Sequence, residues 1–137
     1  MRQVFLMAFF CVFAGIAMAQ TSLRKQGVEV LYFHGKQRCV TCMAIENHSR
    51  EVVYQDFAKD LKAGRLRFRV VDISTVEGAR LAKAYKVSWA SLYVNRWAGG
   101  KETQNDLTKM GFQYARNKTT LFKAQLREKI STLLQGQ

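Results

Sequence analysis

Proline is missing from all 137 residues, cysteine occurs three times, and the 10 acidic residues are outnumbered by 22 lysines and arginines. Without proline, no prolyl cis bond and no proline kink is open to any mechanism. Three cysteines and nine glycines exclude a disulfide-dense miniprotein and a collagen repeat. At 48% apolar and 23% charged, the composition is that of a globular chain rather than a disordered tail. The length fits one domain of modest size and excludes a two-domain enzyme. The shortage of acid leaves a formal charge of +12. These cations are scattered through every segment and no RNA-binding aromatic motif accompanies them, so no nucleic-acid partner is expected. The charge instead favours encounters with acidic proteins or anionic membrane surfaces, an attraction that salt screens.

Long apolar runs are also scarce. One stretch, from Val4 to Ala19, follows the single charge of Arg2 and ends in Ala17-Met18-Ala19, the pattern of a secretory signal peptide. It is shorter than the roughly 20 residues that a membrane span needs. A lipoprotein anchored through Cys11 fits less well, because Phe9 and Phe10 are too bulky before a cleavage point. Residues 1–19 are therefore expected to be removed, leaving a domain over 20–137 in the periplasm or outside the cell, without a stable membrane span. Cleavage after Ala19 takes Cys11 away. Cys39 and Cys42 then form an isolated CxxC in a compartment where disulfides persist.

The pattern predicts a buried strand over 28–34 (VEVLYFH) and a helix from Cys39 to about Leu61. A second strand is expected over 65–73, where Arg65, Arg67 and Arg69 alternate with Leu66, Phe68 and Val70. A helix from Val76 to Tyr85 follows, capped by Ser74 or Thr75 with Glu77 in its first turn. Ser91–Trp97 forms a third strand, Gly99 and Gly100 turn the chain, and Lys101–Leu107 returns antiparallel. After an irregular stretch around Gly111, Thr119 or Thr120 caps a last helix striped by Phe122, Leu126, Ile130, Leu133 and Leu134. This order predicts an α/β domain with a four-stranded mixed sheet and helices on both faces.

A strand VLYFH, a loop GKQR and then CVTC opening a long helix resemble the thioredoxin fold, over nearly all of the chain after residue 19. The eight residues from Gln20 to Gly27 are too few for that family's first strand and helix, so the resemblance is to a minimal version. The family's strand order then places 65–73 on a sheet edge, where Arg65, Arg67 and Arg69 discourage edge-to-edge pairing.

What the resemblance implies is thiol–disulfide exchange on protein thiols or disulfides, with an unidentified redox partner and no cofactor beyond the cysteines. In such a motif the first cysteine sits at a helix N-terminus, where backbone N–H groups and the helix dipole favour thiolate. Lys36 and Arg38 add positive charge near Cys39, the expected attacking sulfur, and Cys42 should lie deeper as the resolving one. Two alternatives stay open: an inert disulfide in a non-enzymatic binding module, and a soft-metal site of Cys39, Cys42 and His34 or His48. No metal ligand is expected among these residues, since such sites need more ligands at recognisable spacing.

Departures from the family are specific. Arg38 stands where tryptophan is usual, and Val40-Thr41 replaces Gly-Pro. The family's buried acid falls on Phe33, leaving Glu46 or His34 as the substitutes that would assist a cysteine proton. The cis-proline position falls on Ser91, or on Ala90, where a cis bond would cost about 2.5–4 kcal/mol and a trans bond is expected. By the same resemblance Trp89, Ala90 and Ser91 are the candidates for contact with a substrate.

Overall fold

In the computed structural model, which describes residues 26–136, the β-branched and aromatic run Gly27–His34 forms the central strand β1. The expected leader and its cleavage site lie outside the described residues. β1 pairs in parallel with β2 (Leu66–Asp72) and antiparallel with β3 (Ser91–Ala98), which pairs with the short β4 (Lys101–Thr103). The resulting order is β2-β1-β3-β4, a four-stranded mixed sheet with β2 on one edge as predicted. On that edge Arg65 pairs with Asp60, Arg69 pairs with Glu77, and Arg67 donates to the Gln26 carbonyl.

Strand alternation sends side chains to two cores. Val28, Val30 and Tyr32 point to the larger one, packed by α1 (Val40–Asp56), α4 (Thr108–Tyr114) and α5 (Thr119–Gln135). The expected stripe is there: Phe122, Leu126 and Ile130 are fully buried. Leu31 and Phe33 point the other way, to a smaller core closed by Ala82 and Tyr85 of α3 (Val76–Tyr85). Thr75 is the cap of α3, its Oγ1 accepting the Gly78 N–H at 3.0 Å. Gly99 and Gly100 both take positive φ, the conformation a tight hairpin turn demands.

Four expectations need correction. The helix expected over 39–61 is split, with α2 (Ala58–Lys62) following a break at Phe57. Phe57 leaves helical geometry to bury its ring, yet its N–H still reaches Val53 O and its carbonyl still accepts from Leu61. The four-residue periodicity therefore runs through the break unaltered, which hides it from pattern reading. β4 stops at Thr103 rather than Leu107 because the Asn95 side chain takes the Asn105 N–H and displaces a ladder bond. Register resumes in the bridge Tyr93–Asp106.

The stretch around Gly111 is helical, not irregular: Asp106 accepts the Thr108 N–H, and Gly111 packs against Ile45. Neither Thr119 nor Thr120 caps α5. Lys118 occupies that place, while the Thr119 hydroxyl donates back to the Ala115 carbonyl at 3.0 Å.

Three tyrosines give the fold an alkaline limit. Burial pushes the phenols of Tyr32, Tyr85 and Tyr93 above their ordinary range. Tyr85 is raised further by its hydrogen bond to the Glu102 carboxylate and that group's charge. A phenol whose folded pKa exceeds its unfolded one stabilises the fold fully below the unfolded value of about 10, and that stabilisation drains away as pH rises toward the folded value. Urea unfolding followed from about pH 9 to 11.5 should show stability falling with pH. The fall should be shallower in Tyr85→Phe; an identical slope would mean that Tyr85 titrates alike in both states.

Candidate functional site

Register brings three loops to one end of the sheet. His34 closes β1 opposite Asp72 of β2, and Phe33 lies opposite Ser91, the first residue of β3. The loop leaving β1 thus meets the one leaving β2 and the segment 86–90 that enters β3. Cys39 is the N-cap of α1, in extended geometry, and its Sγ accepts the Cys42 N–H at 3.0 Å. No acidic side chain stands in the first turn of α1 to oppose an anion there. The two cysteines are joined as a disulfide with Cα atoms 5.0 Å apart. Cys39 is exposed and Cys42 is 9% exposed, so a visiting sulfur reaches the first and not the second.

A cleft of about 580 Å³ opens on the pair, lined also by His34, Arg38, Ile73, Trp89, Ala90 and Phe112. Trp89 is 60% exposed, more open than a packed tryptophan, and its ring lies on that of Phe112 with centroids 5.2 Å apart. Ala90 is buried at the cleft wall. Ser91 is buried too, its hydroxyl donating to the Trp89 carbonyl at 3.2 Å. Among the described residues no peptide bond is cis, so the Ala90–Ser91 bond is trans, as expected without proline.

The supporting residues divide. Lys36 is exposed beside the motif, and its charge and that of His34 both bear on Asp72, whose carboxyl is held below its ordinary range chiefly by bonds from Ser74. His34 Nδ1 lies 2.9 Å from the Gly35 carbonyl oxygen, which can only accept, so the neutral ring carries its proton on Nδ1. Arg38 lines the cleft and is ion-paired with Glu46, which is buried. The second oxygen of Glu46 accepts from Arg50 at 3.0 Å, so both its oxygens serve arginines. Phe33, at the position of the family's buried acid, faces the smaller core among Tyr85 and Tyr93, away from Cys42.

Two contributors escaped the sequence reading. Tyr32 is fully buried, and its hydroxyl donates to the Cys42 carbonyl at 2.7 Å, tying the first turn of α1 to β1. Arg38 acts on this phenol as well, partly opposing the effect of burial. Strand alternation places Tyr32 on the side of α1, but nothing in the sequence names its acceptor. Phe112 reaches the cleft from α4, the helix the pattern missed. His48, the other candidate metal ligand, lies on α1 with its ring near Phe122 and its Nδ1 3.5 Å from Glu51. Among the described residues no group of three or more His, Cys, Asp or Glu side chains is placed to hold a metal ion.

A parallel β1–β2 pair, an antiparallel β3–β4 hairpin, helices on both faces and a CxxC disulfide where β1 hands over to α1 make the fold thioredoxin-like. Among solved structures, the chain is similar to a thioredoxin from Thermus thermophilus, with 19% identity, a TM-score of 0.48, and coverage of 82% of this chain and 79% of that one. It is also similar to a malarial protein, with 19% identity, a TM-score of 0.44, and coverage of 72% of this chain and 96% of that one. No protein-family model matches the chain. No curated protein matches it either.

Proposed function

We propose that this protein is a thiol–disulfide oxidoreductase acting on protein thiols or disulfides through Cys39 and Cys42. The observation that carries the reading is the exposed Cys39 sulfur at the start of α1, receiving the Cys42 N–H. A helix N-terminus stabilises the thiolate that this sulfur becomes on reduction.

In the reduced protein, the Cys39 thiolate attacks one sulfur of a partner disulfide, forming a mixed disulfide and releasing the partner's other sulfur as thiolate. Cys42, losing its proton to solvent, then attacks the Cys39 sulfur and expels the second partner sulfur. Two electrons pass to the partner, and the Cys39–Cys42 bond seen here forms. The reverse sequence, begun by a partner thiolate at exposed Cys39, oxidises the partner. A protein partner is favoured by the apolar surroundings. Val40, Met43, Val76 and Trp89, all exposed, begin or border the segments at this end of the sheet.

The reading includes export through residues 1–19 to the periplasm or the cell exterior, where the disulfide would persist. No helix among the described residues is long and apolar enough to cross a membrane. Alkylation of the reduced protein at graded pH tests the chemistry. Cys39 should react half-maximally at least about one unit below the 8.5 or so of a free thiol. Reactivity rising only near that value would leave a binding module with a structural bridge.

A further inference from the structure

The cleft at the cysteines does not end at Trp89. A second cleft, of about 660 Å³, adjoins it at the stacked Trp89 and Phe112 rings, and Ser88, Trp89 and Phe112 line both. Two exposed lysines, Lys86 at the end of α3 and Lys109 in α4, border this second cleft. Neither enters an ion pair among the described residues. The acid there, Asp106, already accepts the Thr108 N–H at 2.8 Å and interacts with the Tyr93 hydroxyl.

We infer that the partner docks as an extended segment across both clefts: its reacting cysteine over Cys39, an apolar side chain on the Trp89–Phe112 ridge, and an acidic side chain over Lys86 and Lys109. This rests on the exchange reading above and names the kind of segment that site accepts. A small thiol fills only the first cleft and gains nothing from the ridge or the lysines. An extended chain gains apolar burial on two partly exposed rings, and charges at the rim of the contact steer its approach.

The test uses the full chain carrying Cys42→Ser, so that the mixed disulfide at Cys39 stays trapped. Single-cysteine peptides, activated as mixed disulfides with thionitrobenzoate, release a chromophore when Cys39 attacks. The peptides carry leucine or glycine beside the cysteine, and paired aspartates or paired lysines a few residues away. At low salt the aspartate peptide should react about tenfold faster than the lysine peptide, and the gap should shrink as salt rises.

Lys86→Gln with Lys109→Gln should remove most of that preference. Lys59→Gln with Lys62→Gln, in exposed α2 away from the site, lowers the net charge equally and should leave most of it. Trp89→Ala should reduce the advantage of leucine over glycine about tenfold. Equal loss of preference in the two lysine pairs would reduce the effect to bulk charge and overturn the docking. So would a leucine advantage untouched by Trp89→Ala. Failure of Cys39 to react with hydroxyethyl disulfide, a small probe that needs no docking, would overturn the exchange reading together with it. Normal reaction with that probe, alongside indifference to peptide sequence, would overturn the docking alone.

Discussion

Cells expressing the Cys42→Ser chain should accumulate it in disulfide-linked complexes that run as discrete bands without reductant and collapse to one band with it. The physical reason lies in the unequal exposure of the two sulfurs. Cys39 is open to a partner, whereas Cys42 is sealed by the core around Ile45 and Tyr32. In the proposed exchange a partner sulfur bonds to Cys39, and the sulfur three positions along reaches behind that bond to release it. Removing Cys42 stops the cycle at its midpoint. Turnover of an insulin-type disulfide substrate should drop to at most one event per molecule. Cys39→Ser should trap nothing at the CxxC, because Cys42 is buried. Clean gels from Cys42→Ser would remove the basis for exchange.

The largest loss of stability from one added methyl group is expected at Gly78. A Cβ there would overlap the Asp72 carbonyl oxygen and stand 2.7 Å from the carbonyl carbon and 2.9 Å from Thr75 Oγ1. The obstacle is backbone, so no rotamer relieves it. Alanine favours a helix over glycine by about 1 kcal/mol, which cannot offset overpacking that costs about 3 kcal/mol or more. Against a typical stability of about 5–15 kcal/mol this is a large fraction. Gly78→Ala should lower the denaturant midpoint markedly and loosen the α3 start, whose approach from Asp72 carries Ile73 into the cysteine cleft. Gly35→Ala is the contrast, since a Cβ there meets nothing within 4 Å and stability should barely change. Equal midpoints for the two variants would contradict the close approach of α3 to β2.

The two results draw on different information in the chain. Cys39 and Cys42, a buried strand before them and a helix after them are local patterns, and local patterns survive into the fold because period and spacing are set by the backbone itself. The same holds for the alternating arginines of β2 and for Thr75 as a cap. The close approach at Gly78 is different. It arises where α3 lies against the end of β2, a contact between surfaces rather than a feature of either segment.

Site residues divide along the same line. The sulfurs and their order of exposure follow from spacing and from the order of elements, and the nearness of Trp89 was implied by the resemblance to the thioredoxin fold. The pairing of Trp89 with Phe112, the ion pair of Arg38 with Glu46 and the Tyr32 bond to the Cys42 carbonyl were settled only when helices and strands packed. So was the break at Phe57, where burying one ring outweighed helical continuity while the periodicity ran on undisturbed. Periodicity reports which way a side chain points. Which atom it meets depends on how separate elements pack against one another, brought together by burial of the whole core.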